Sequence, residues 1–98
     1  MNKTETKVVH CKRQRYDVYI GRPGIFGNPY KMHTEAERQH VLSEYEHYLN
    51  KRCAEDAVFC AQVRSLRGKT LACWCSPKQC HGDVLVAWLE NDSATACN

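Results

Sequence analysis

Apolar and polar residues follow three different rhythms along this chain. Near the start, Val8-Val9-His10-Cys11 is a short run of β-formers, residues 12–15 are a polar turn, and Tyr16-Asp17-Val18-Tyr19-Ile20 is a second β-rich run. These two strands could pair as a hairpin. A glycine- and proline-rich stretch, residues 21–30, then excludes a helix. Thr34 with Glu37 three positions on forms a capping box. Val41, Leu42, Tyr45, Tyr48 and Leu49 follow at helical spacing, predicting a helix of about four turns. Val58, Phe59, Val63 and Leu66 mark a second helix over residues 55–66, with Gly68 as its terminator. Thr70-Leu71-Ala72-Cys73-Trp74-Cys75 is almost wholly apolar, as expected of a central strand covered on both faces and stopped by Pro77. Residues 83–89, Asp83 followed by six apolar positions, close the pattern as a last helix.

The expected fold class is therefore α/β, a small single-domain sheet with helices packed on it, in the order β-β-α-α-β-α and with the last strand central. The ordered core should run from about residue 7 to 91, with frayed ends at 1–6 and 92–98. In open α/β sheets, ligands bind beyond the carboxyl ends of the strands, where loops lead into helices. The loops 21–30 and 73–83 both occupy such places.

Composition narrows this further. Ninety-eight residues suffice for one modest core but not two. No segment approaches the roughly 20 apolar residues that cross a bilayer, and the first residues lack the apolar segment of a secretory signal, so no membrane role and a cytoplasmic location are expected. Seven cysteines would suggest a disulfide framework in a secreted chain. Their odd number and their places within apolar helix and strand patterns point instead to reduced thiols, with Cys53 and Cys60 acting as small core hydrophobes. The net charge of +3 is modest but uneven, since Lys7, Lys12, Arg13, Arg15, Arg22 and Lys31 crowd the first third. Such a patch favours a nucleotide or nucleic acid as partner, although a solvated basic turn accounts for it equally well.

The first loop has glycines at 21, 24 and 27, which bring backbone amides close to a ligand, and Arg22 offers a planar fork of donors for phosphate. It is neither a Walker loop nor a dinucleotide fingerprint, because the glycine spacing and the following residues are wrong for both. Asn28, restrained by Pro29, is a candidate to read a polar edge, and Phe26 and Tyr30 are candidates to stack on a base. Gly21, Arg22, Gly27, Asn28 and Tyr30 are thus the expected ligand-binding residues. The structural alternative is a compact loop whose aromatics simply cover the core.

The second loop admits two chemistries. Cys73, Cys75, Cys80 and His81 are enough in type and number for a tetrahedral zinc site, although their spacing is not that of paired knuckles. Alternatively Cys80, at a helix start, has its thiolate favoured by the helix dipole and acts as a nucleophile, with His81 as base and Asp83 as orienting carboxylate. The same helix end would also bind phosphate without covalent chemistry. A purely structural reading makes Cys73 and Cys75 core positions, His81 a capping residue and Asp83 a first-turn carboxylate.

Together the two loops carry a resemblance. The segments Tyr16-Asp17-Val18-Tyr19-Ile20-Gly21-Arg22-Pro23, Gly27-Asn28-Pro29, Leu66-Arg67-Gly68-Lys69 and Cys73-Trp74-Cys75-x-Pro77-x-x-Cys80-His81-Gly82-Asp83-Val84-Leu85 resemble a domain family of unknown function common in phages and bacteria, across residues 8–90. More weakly, residues 71–81 resemble the end of a second such family, with a Cys and a Cys-His pair between its last strand and helix. The resemblance implies an independent small domain encoded by a phage or bacterium and brings no activity with it. Two functions follow as expectations. One is a small nucleotide- or nucleic-acid-directed enzyme using the first loop for binding and Cys80, His81 and Asp83 for chemistry. The other is a regulatory module that binds a host protein or nucleic acid, with the cysteine loop structural or zinc-bound.

Overall fold

The computed structural model describes residues 6–22, 24–75 and 78–92. Pro23, Pro77 and most of the expected frayed ends lie outside these. Three strands, β1 (Lys7–His10), β2 (Val18–Tyr19) and β3 (Thr70–Cys73), form one sheet in the order β1-β3-β2. Both pairings are parallel, with Val8 and Val18 flanking Leu71, and Val9 and Tyr19 flanking Ala72. The last strand is central, as its apolar run requires.

The expected hairpin between the first two strands does not form. The turn after β1 is closed by the Arg13 and Gln14 amides donating to the His10 carbonyl, and the chain then returns to lie along the far side of β3, where the Asp17 amide donates to the Thr70 carbonyl at 2.8 Å. Leu71 and Ala72 are fully buried and need a strand on each edge. Satisfying β3 on both sides outweighs the local economy of a hairpin.

The capping box at Thr34 forms, but it opens a short 3-10 turn, Glu35–Glu37, before α1 (Arg38–Glu55) begins. Asp56 accepts the Phe59 amide at 3.0 Å and starts α2 (Ala57–Arg64). Gly68 ends the connection to β3 at φ 81°, a conformation that favours glycine. The last helix, α3 (His81–Asn91), starts two residues earlier than its apolar run suggests. It packs directly on β1 and β3, while α1 and α2 pack against it. At Gly82 the helix presses onto the sheet so closely that a Cβ would lie 2.8 Å from Ile20 Cδ1 and 3.0 Å from Val8 Cγ2.

Ile20, Leu71 and Cys73 from the sheet meet Tyr45, Leu49, Phe59, Val63, Leu85 and Leu89 from the helices in one core. Cys60 is buried and Cys53 half-buried against it; burial and the neighbouring Cys60 thiol push the Cys53 thiol up to about 12. These two cysteines act as the small hydrophobes expected. The Gly68 amide donates to Thr6 Oγ1 at 2.7 Å, and the nearly buried Asp92 carboxylate pairs with Arg64 at 2.8 Å and Arg67 at 3.6 Å. Among the described residues, no helix is long and apolar enough to cross a membrane.

Candidate functional site

Because all three strands run the same way, their carboxyl ends open on one side, and both unusual loops leave from that edge. Between them lies a cavity of about 410 Å³. Gly21, Arg22, Asn28 and Tyr30 come to it from the first loop, and Cys73, Cys75, Cys80 and His81 from the second. The two segments that sequence reasoning singled out thus share one space.

The first loop is anchored from below. Phe26 is buried in the core, and the Tyr45 hydroxyl of α1 donates to its carbonyl at 2.9 Å. Gly27 is not a wall of the cavity. It packs against Arg22, whose Cγ and Cα would stand 2.9 and 3.0 Å from a Cβ at that position, so its role is to let the loop fold tightly and not to meet a ligand. Asn28 Oδ1 accepts the Tyr30 amide at 2.8 Å. That bond fixes the side chain and leaves its NH2 group, a pure donor, for a ligand. No carboxylate among the described residues pairs with the Arg22 guanidinium, which is near enough to His81 to resist protonation of its ring.

His81 is buried, and its Nε2 lies 2.7 Å from the Ile20 carbonyl. A carbonyl only accepts, so Nε2 carries the proton, and in the neutral ring Nδ1 is the basic nitrogen. Tyr45 packs edge-on against the ring at 5.2 Å. Burial, chiefly, and the Arg22 charge hold the imidazole below its ordinary value, against the upward pull of the Ile20 carbonyl and Asp83. The result is a neutral histidine of fixed tautomer.

Cys80 departs from expectation. Its sulfur accepts the Gly82 amide at 3.3 Å, as a helix N-cap should, yet it is buried and lies 3.0 Å from the Cys73 sulfur. The adjacent thiol and burial push its ionisation well up, outweighing the single amide. An activated thiolate, the basis of the nucleophile expectation, is therefore not what this environment favours. Asp83 is also differently employed. Its Oδ2 accepts the Cys80 amide at 2.8 Å, completing a capping box, and it lines a separate cleft between α1 and α3. The His81 ring is oriented by the Ile20 carbonyl, so Asp83 does not fill the third place of a Cys-His-Asp arrangement.

The structure gives the zinc expectation no support. Among the described residues no three His, Cys, Asp or Glu side chains are grouped to hold a metal ion. Cys73 and Cys80 meet, but β3 ends at Cys73, and Cys75 turns to the Arg38 guanidinium. His81 has committed Nε2 to a carbonyl, and Arg22 and Arg38 line the same cavity.

Several residues of the cavity were not singled out by sequence reasoning. Arg38 donates to the Gln79 carbonyl at 2.6 Å and to both oxygens of Glu35, whose carboxyl it holds down at about 2. It thereby ties the approach to α3 onto the start of α1, and its own charge is already matched. An arginine at the first position of a helix runs against the dipole, and that is the signal that would have flagged it. Trp74 is 57% exposed at the mouth, and its indole donates to the Tyr19 hydroxyl at 2.9 Å. Met32, Val41 and Leu42 supply the apolar part of the wall.

Comparison with known proteins gives a consistent family and no activity. The family model "Domain of unknown function (DUF4326)" matches residues 2–91. An uncharacterised 12.4 kDa protein from the nrdA-td intergenic region of Enterobacteria phage T4 is 30% identical over 79 residues, covering 81% of this chain and 72% of its own. No solved structure matches the chain.

Proposed function

This chain belongs to the DUF4326 family, and from the cavity at the edge of its sheet we propose that it is a small enzyme directed at nucleotides or nucleic acid. The observation that carries this reading is the unpaired Arg22 guanidinium standing near a neutral histidine of fixed tautomer, in a cavity walled by donors and aromatic rings. Arg22 receives a phosphate, as a fork of charge-assisted donors does. The Asn28 NH2 meets an acceptor on the same ligand, and the Trp74 and Tyr30 faces flank a base. His81 Nδ1 accepts a proton from a hydroxyl or water brought beside the phosphate. Cys80 and Asp83 serve by holding the start of α3 in place, so the reactive group of the second loop is His81.

A second reading keeps the binding and omits the chemistry. It is favoured by the burial of Cys80 and the engagement of Asp83 in a cap, which together withdraw two of the three expected reactive groups. The domain would then be a regulatory module of a phage or bacterium, acting on nucleic acid or a host protein.

Calorimetric titration with nucleoside monophosphates, together with a turnover screen over nucleotides and short oligonucleotides, separates the cases. Arg22→Ala should weaken binding at least about tenfold, the loss expected of a charge-assisted contact worth roughly 1.5–3 kcal/mol. His81→Gln keeps a donor for the Ile20 carbonyl and should bind normally but turn over nothing. Unchanged affinity in Arg22→Ala would overturn the site, and full turnover in His81→Gln would overturn the chemistry.

A further inference from the structure

The central cavity does not stand alone. On one side it shares Tyr19 and Trp74 with a smaller cleft of about 220 Å³ that also holds Lys12 and Tyr16. It also shares Tyr30 with a cleft of about 390 Å³ bordered by His47, Tyr48, Lys51 and Arg52. An aromatic ring therefore stands at each junction, Trp74 at one and Tyr30 at the other, and both are open to solvent, at 57% and 37%, as is Tyr16 in the smaller cleft, at 44%. Each cleft also brings a cation with no carboxylate partner among the described residues, Lys12, Arg22 and Lys51 in turn. Lys12 lies over the Trp74 ring at 5.4 Å.

We infer that the ligand is a single-stranded nucleic acid laid across these three adjoining clefts. This rests on the nucleotide reading above and names the class of ligand within it. A free mononucleotide would engage only the central cavity and would leave Lys12, Tyr16 and Lys51 without a function. A strand uses them together, bases against the rings and phosphates against the cations, which is how sequence-tolerant single-strand surfaces work. Charge supports the same track. Among the described residues no carboxylate borders the first two clefts and only Glu55 borders the third, whereas the larger cleft between α1 and α3, about 520 Å³, is edged by Glu46, Asp83 and Asp92 and would repel a phosphate chain. The nucleotide over the central cavity is the one that lies beside His81. Neighbouring nucleotides are held and not changed.

The test uses the full chain and fluorescence anisotropy with labelled oligomers of deoxythymidylate and of uridylate, each about ten nucleotides long, with thymidine monophosphate as unlabelled competitor. The tighter-binding oligomer should exceed the monophosphate by at least about tenfold, the worth of one further stacked base. Three phosphate contacts predict that log K falls with log salt with a slope of about −2, and Lys12→Ala/Lys51→Ala should bring it to about −0.7 and collapse the advantage of the oligomer. Both lysines are exposed, so the variant should fold, as far-ultraviolet dichroism would verify. If the monophosphate binds but neither oligomer binds more tightly, or if the double variant keeps the slope, the track is wrong while the central nucleotide site stands. If neither class of ligand binds, the site reading falls, and the track falls with it.

Discussion

At the scale of single residues, His81 shows how burial and one carbonyl set a chemical role. Its Nε2 proton is spent on Ile20, its charge is opposed by Arg22, and what remains is one basic nitrogen. The consequence for pH has a definite sign. The folded state holds the imidazole below its ordinary value, so the unfolded chain binds more protons once pH drops below about 6.5, and folding stability falls on acidification until the folded ring also titrates. Urea unfolding between pH 7.5 and 5.5 should therefore show stability decreasing toward acid, with His81→Gln flatter over that window. Parallel curves for the two proteins would mean that the ring is solvated in the native state.

At the scale of elements, the most informative case is the start of α3. Its apolar run was legible from Val84 onward, but Cys80 was read as chemistry and Asp83 as either an orienting carboxylate or a first-turn carboxylate, and their geometry is that of a capping box. Thiol and carboxylate are ambiguous in sequence because the groups that satisfy a helix end are the same ones that catalyse, and only burial and the 3.0 Å approach of Cys73 decide between them. Thr34 and Glu37 were read correctly because a polar box on an exposed helix start has no competing role. The strand pairing was missed for another reason, since neighbourhood along the chain suggests a hairpin while a central β3 takes one of the first two strands on each edge. If Asp83 caps and does not catalyse, Asp83→Ala should cost about 0.5–2 kcal/mol in stability and leave nucleotide affinity unchanged. Denaturant melts and calorimetry on the same preparation would show it. A stable protein that has lost its affinity or turnover would return Asp83 to the site.

At the scale of the whole molecule, the fold accounts for the site in a simple way. Three parallel strands send their carboxyl ends to one edge, the loops that leave them carry Arg22, Asn28, Trp74 and His81, and α1 closes the space from behind with Val41 and Leu42. That the loops 21–30 and 73–83 lie together follows from their position after parallel strands, and this much was readable from the sequence. Which of their side chains point into the shared space was not, because Gly27 and Asp83 sit in the same loops and face elsewhere. The most direct test of the account is amide chemical-shift mapping of the isotopically labelled protein during titration with a nucleoside monophosphate. We predict saturable shifts at Gly21, Arg22, Asn28, Trp74 and His81, at the edge of the sheet. Shifts confined to the α1–α3 cleft, at Glu46, Trp88 and Asn91, or no shifts at millimolar ligand, would contradict it.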